Sequence, residues 1–225
     1  MKIGIIGGGG VGQTLGSGLI ALGHQVTLGI RAPSAEELAK PRAQGKPLAE
    51  WVAATGGTVA TMAEAAAGSD LVINATHGEA SIAALSLAGP DTLAGKVLID
   101  VANPLDFSKG FPPALSAEYS GHTSLAEQIQ AAFPAARVVK AFNTIGAAIM
   151  TNPGLVKGEH DLFISGNDAA AKAVVTDLAH ALGWKNVPDL GDLKGARAQE
   201  TIVLVWLQLI GTTGGTLHNL HVARG

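Results

Sequence analysis

Short apolar runs alternate with helical stripes along the whole chain. The first run is 3–6. It passes straight into glycines at 7–10 and 12, and then into a stripe at Leu15, Leu19, Ile20 and Leu22. Gly23 closes that stripe as a left-handed cap. A second strand is expected at 25–29. Beyond it the pattern predicts short helices at 35–40 and 48–54, with a polar loop at 41–47 between them. A short strand at 58–60 is followed by a helix that Thr61 and Glu64 open as a capping box. Strands at 70–75 and 96–101 bracket a helix at 79–87. Residues 105–122 form a long irregular segment, and such loops inside a compact domain are usually functional. A helix starts at Ser124, with Glu127 completing a second capping box. Strands follow at 137–141 and 161–165, then a helix that Asp168 caps and that runs to about Leu182. The last elements are a strand at 184–187 and a helix at 199–210.

Strands alternating with helices predict an α/β, Rossmann-type, doubly wound parallel sheet. The expected division is a dinucleotide-binding domain over 1–189 and a short helical part over 190–225. That second part is expected to carry substrate and dimer contacts. The helix at 199–210 is apolar almost all round, which points to burial against a second copy.

Candidate chemistry starts at the glycines. Strand, glycine turn and helix in succession make Gly7-x-Gly9-x-x-Gly12 a dinucleotide fingerprint rather than a chance match. Gly7 permits the tight turn, Gly9 lets the backbone approach a pyrophosphate, and Gly12 lets the helix pack on the strand. Gly8, Gly10 and Val11 complete the turn. An NAD site usually places a carboxylate at the end of the second strand. Here that strand runs out through Ile30 to Arg31. A guanidinium fits a phosphate in bidentate fashion, so the ligand expected is NADP(H). Ser34 lies just beyond, as helix cap over Glu37 or as a further phosphate contact.

Composition narrows the alternatives. The 225 residues are 47% hydrophobic and 15% charged, with a net charge of −3. There is no basic excess to hold nucleic acid or an anionic membrane. Cys is absent, which excludes disulfides and thiolate chemistry. No secretory signal precedes the first strand, so a cytoplasmic protein is expected. The uncharged stretch 201–223 is broken by Gln208, several glycines and threonines, His218 and Asn219, and is not read as a membrane span.

In open α/β sheets the ligand lies beyond the carboxyl ends of the strands. The residues there are Ala75, Thr76 and His77 after the fourth strand, and Asn103 and Pro104 after the fifth. Ala141, Phe142 and Asn143 follow the next. His77 is the one titratable residue in this set and the weak candidate for an acid. Asp100, inside a strand, is read as structural. His218 and His221 are three apart without a third ligand, so no metal site is expected. Tyr119, the sole tyrosine, is not followed by Lys four residues on. A site rich in glycine and poor in acids suits hydride exchange between two redox rings, which needs alignment more than acid–base help.

Residues 2–12, 29–31, 96–107 and 138–144, with Gly191–Glu200 and the helix after it, resemble the coenzyme F420-dependent NADP oxidoreductase family. The resemblance implies NADP(H) binding by a Rossmann domain and hydride exchange with a deazaflavin (coenzyme F420) or a flavin. It implies cofactor-lining roles for 9–11, Arg31, Thr76, Asn103 and 141–143. The partners expected are a small-molecule redox acceptor and a second copy of the chain. Other readings are a non-catalytic NADP(H)-binding redox sensor, or a reductase of a small imine, hydroxy acid or ferric chelate.

Overall fold

Successive strand residues point to opposite faces of a sheet, and here both faces are apolar. Ile3 and Ile5 enter one core and Ile6 the other. Leu71 and Ile73 divide from Val72, Val97 and Ile99 from Leu98, and Val139 from Val138 in the same way. Each such side chain removed from water contributes about 1.5–3 kcal/mol. Helices must therefore cover both faces, which is the doubly wound arrangement expected.

The computed structural model describes residues 1–223; the last two residues of the 190–225 segment lie outside them. The first half comprises β1 (Lys2–Ile6), α1 (Gly10–Ala21), β2 (Gln25–Ile30), α2 (Ala35–Ala39), α3 (Leu48–Thr55), β3 (Thr58–Thr61) and α4 (Met62–Ala67). Next come β4 (Leu71–Asn74), α5 (Ser81–Ala88), α6 (Pro90–Leu93), β5 (Val97–Asp100) and a small hairpin, β6 (Leu105–Asp106) with β7 (Ala114–Leu115). The chain continues through α7 (Leu125–Ala132), β8 (Arg137–Ala141), α8 (Ala147–Met150), β9 (Ile164–Gly166), α9 (Ala169–Ala181) and α10 (Gly195–Thr213). The main sheet has seven strands in the order β3-β2-β1-β4-β5-β8-β9. Strand order reverses between β1 and β4, and their carboxyl ends open the crevice where such sheets bind ligands.

Several expectations change. The sheet is not wholly parallel: β9 runs antiparallel to β8. The strand expected at 161–165 begins only at Ile164. The strand expected at 184–187 is reduced to isolated bridges, Asp161 with Asn186 and Ile164 with Asp189. Pro188 offers no N–H there to extend a ladder. The final helix starts at Gly195 and runs to Thr213, because polar Gln208 and the threonines continue it until Gly214 turns left-handed at φ 76°. The long segment at 105–122 contains the β6–β7 hairpin and a single 3₁₀ turn at Ala117–Tyr119.

The caps follow the sequence closely. Thr61 and Glu64 form the reciprocal box. Ser34 accepts from Glu37 N at 3.1 Å, but the Glu37 carboxylate turns to Lys40 and Arg42. Ser124 accepts from Glu127 N, and that carboxylate pairs with Arg197 instead of closing the box.

Candidate functional site

The glycine turn leaves β1 and enters α1 at the switch point. Gly7 has φ 125°, and a side chain on it would strike the Ala75 carbonyl at the end of β4. Gly12 lies against the Gly7 carbonyl, so only a glycine lets α1 approach the turn. At Gly9, by contrast, a Cβ would point into open space. Gly9 caps α1 without any side-chain hydrogen bond, leaving the helix N-terminus for an external acceptor. Gln13 is buried and holds the turn in place. Its amide donates to Gly8 O and Lys46 O and accepts from Lys46 N, tying the turn to the 41–47 loop. Gln44 of that loop lies over Gly10.

A groove of about 410 Å³ runs from this turn past Arg31, Gln44, Thr76 and His77. Arg31 is exposed and makes no ion pair among the described residues. The neighbouring Arg42 is engaged with Glu37 at 3.1 Å. Arg31 is thus the cation this groove presents. Open space at Gly9, an uncapped helix end and an unpaired guanidinium together fit a dinucleotide with an additional phosphate.

The groove shares Val11 and Gln44 with a second cavity of about 630 Å³. Its walls include Val101, Phe107, Phe111, Ile145, Met150 and Trp206. Asn103 and Asn143 also line this second cavity. Asn103 Nδ2 donates to Asn143 O at 2.7 Å, and Asn143 Nδ2 donates to Asn103 Oδ1 at 2.9 Å. Phe142 makes this possible by taking a left-handed turn at φ 62°, unusual for a bulky residue. Its ring goes into the core while the next residue faces Asn103.

Behind the pair lies a buried charge cluster. Lys140 is fully buried and reaches Asp100 at 2.7 Å, Glu200 at 2.8 Å and the Ala102 carbonyl at 2.6 Å. Burial by itself would lower the lysine, but the two carboxylates outweigh it and raise its pKa. Burial pushes the Glu200 carboxyl up, and nearby Asp100 adds to this; the lysine offsets only part. Glu200 also accepts from Leu125 N and Ala126 N at the start of α7. Its neighbour Gln199 donates to the carbonyls of Phe163 and Lys140 and to Asn143 Oδ1, and accepts from Ser165. Two consecutive residues of α10 therefore seat the helix against both cluster and amide pair.

The far end of α10 is tied by the chain that follows it. Trp206 Nε1 donates to His218 O at 3.1 Å, and the two rings stack with centroids 4.9 Å apart. Asp161 N donates to Leu220 O, and Val222 N to Asp161 Oδ2. His221 lies between Asp161 and Glu159. The two histidines are thus in separate contacts.

Comparison with known proteins matches this architecture. Residues 2–104 fit the family model described as NADP oxidoreductase, coenzyme F420-dependent. A crystal structure from Arthrobacter sp. FB24, assigned as an F420-dependent NADP reductase, is 46% identical, with each chain fully covered and a TM-score of 0.93. The chain belongs to the coenzyme F420-dependent NADP oxidoreductase family. The F420-dependent NADP reductase of Methanocaldococcus jannaschii is 29% identical over 228 residues, covering 96% of each chain. The rat metalloreductase STEAP3 is 32% identical over 204 residues, and the chain spans 36% of its length. An imine reductase from Streptomyces aurantiacus, 18% identical with a TM-score of 0.62, shares the fold; 95% of this chain covers 64% of it.

Against that family background, the sequence-derived residues divide. Gly7, Gly8, Gly9, Gly10, Val11, Arg31, Ala75, Thr76 and His77 line the groove together. Gly12 is buried beneath it. Asn103 and Asn143 line the apolar cavity. The Thr76 hydroxyl donates to Asn74 Oδ1 at 2.7 Å. Ile30, Pro104, Ala141 and Phe142 are buried and present no side chain to either space. They shape it from behind: Ile30 packs beneath Gly8. Ser34 is occupied as a helix cap and lies outside the groove lining.

Sequence reasoning missed Gln13, Gln44, Lys140, Gln199 and Glu200. A signal for the cluster was present. Lys140 interrupts an apolar strand, Asp100 interrupts another, and parallel pairing sets the two opposite each other. A charge inside a buried strand requires a partner.

Proposed function

We propose that this protein is an NADPH-dependent reductase that passes a hydride to a deazaflavin or flavin-type acceptor. The observation carrying this reading is the union of two unlike spaces through Val11 and Gln44: a polar groove with Arg31, and an apolar, aromatic cavity. A nicotinamide reaching the junction would have the acceptor cavity directly beside it. When bound, NADPH supplies a hydride from C4 of its nicotinamide, and the acceptor gains it together with one solvent proton, two electrons in all.

The chain's own residues bind and align. Glycines 7–12 and the α1 N-terminus would hold the pyrophosphate, Arg31 the 2′-phosphate, and the Asn103–Asn143 pair a fixed floor. The apolar walls exclude water, which protects a hydride from competing protons. Among the described residues, no acid or base but His77 lines either space. Ring alignment is therefore the chief source of rate.

A homodimer belongs to the same proposal. Val205 is 51% exposed on α10, opposite the buried Val203 and Trp206. The deciding experiment mixes purified protein and NADPH with flavin, deazaflavin or ferric chelate and follows NADPH absorbance. Bleaching with a ring acceptor is expected. Tight NADPH binding with no bleaching by any acceptor would return the redox-sensor reading.

A further inference from the structure

The acceptor cavity has an unusual wall: among the described residues, no Lys, Arg, His, Asp or Glu lines it. Its polar members are Gln44, Asn103, Asn143 and Thr216. Asn103 and Asn143 are occupied with one another, and the Trp206 indole N–H with a backbone carbonyl. What the cavity offers a ligand is aromatic and aliphatic surface from Phe107, Phe111, Trp206, Ile145 and Met150.

The space next to it is no more welcoming to an anion. A depression sharing Asn103, Leu105 and Phe107 with the cavity is lined by Glu79 and Asp106 as well as His77 and Ser108. The Asp106 carboxylate accepts from Ser108 N, and Lys109 stands close to it. Two acids against one histidine and one nearby lysine leave no net positive field there. Arg31 is in the other space, beyond Gln44, where it would meet the dinucleotide.

We infer that the acceptor site reads an uncharged planar ring system and is indifferent to an anionic tail, so that a neutral flavin or deazaflavin riboside binds as well as its phosphate ester. This rests on the functional reading above and narrows its substrate class. Recognition of a phosphate by a positioned cation would favour the ester about 10–150-fold. With none positioned, the tail projects into solvent, where exposed charges have little effect.

The test is equilibrium binding to the protein saturated with NADP⁺. The probes are riboflavin against FMN, and 5-deazariboflavin against its 5′-phosphate, at low and high salt. NADP⁺ binding is measured separately. Each pair is expected to agree within about threefold at both salts. Phe107 is exposed at the cavity rim, and Phe107→Arg should create a preference for the esters of about tenfold that salt weakens. A tenfold or larger ester preference in the wild type, lost at high salt, would overturn the inference. No binding of any ring to a protein that does bind NADP⁺ would also overturn it, while leaving the dinucleotide site standing. Failure to bind NADP⁺ would remove the functional reading and this inference with it.

Discussion

Asn103 and Asn143 each donate an amide hydrogen to the other, across the ends of two adjacent strands, β5 and β8. Neither amide is left to rotate. This part of the cavity wall is consequently fixed before any ligand arrives, and preorganisation of this kind lowers the ordering cost of binding.

Arg31→Ala should erase most of the preference for NADPH over NADH. A charge-assisted contact contributes about 1.5–3 kcal/mol, or 10–150-fold. Titration of both cofactors against both proteins measures it. Equal preference before and after the change would detach Arg31 from the 2′-phosphate.

Gly9→Val should leave a folded protein that no longer binds the dinucleotide. A Cβ at Gly9 meets no protein atom, so the new side chain projects only into the groove. Circular dichroism checks the fold and calorimetry the binding. Retained NADPH affinity would show that the pyrophosphate lies elsewhere.

His77→Ala should reduce turnover by less than about tenfold, or 1.4 kcal/mol of barrier. His77 is exposed at the edge of the groove, and a proton for the acceptor can come from water. A thousandfold loss with binding intact would make it the general acid.

Lys140→Met should destabilise the fold by about 3–5 kcal/mol, since it leaves two buried carboxylates without their cation. The pH dependence has a definite sign. The folded-state lysine has a raised pKa, so it binds its proton more tightly than the unfolded chain does. Its stabilisation is complete below about pH 10.4, the ordinary lysine value, and fades as pH climbs through the folded value. Glu200 is raised too; its contribution is full below the ordinary glutamate value and is lost as pH rises through its own folded value. Urea melts of wild type and Lys140→Met across the alkaline range should converge as pH rises. Parallel curves would contradict the assignment.

Val205→Glu should convert a dimer into a monomer. Trp206, by contrast, is buried within its own chain and bonded to His218 O, so changing it would damage the cavity and confuse the result. Sedimentation at micromolar concentration is the measurement, and a monomeric wild type would end the dimer proposal.

The parts legible in the sequence are those written in local chemistry. Gly7, Gly9 and Gly12 were legible because strand, glycine turn and helix follow one another within a dozen residues, although the atom that crowds Gly7 is the Ala75 carbonyl, far along the chain. The caps at Ser34, Thr61 and Asp168 were equally local. What stayed hidden is long-range. Gln13 looks like any helix residue until Lys46 is folded against it. Glu200 reads as a helical surface acid, yet it is buried against Lys140 and the α7 backbone. The antiparallel turn of β9 was invisible because three residues, Ile164–Gly166, carry no directional signal. The residues at 184–187 have strand composition but meet Pro188.

Residues 199–222 form an arch with both feet on one short segment. Gln199 stands on Phe163 and Ser165, and Leu220 and Val222 stand on Asp161. At the crest, a Cβ on Gly214 or Gly215 would meet no other atom, while the Gly215 carbonyl is held by Thr213 and His218. The opening beneath is therefore a matter of span. Residues gained or lost at the crest would change the headroom over the cavity that Trp206 and Thr216 line while both footings, and the sheet that carries them, stay as they are.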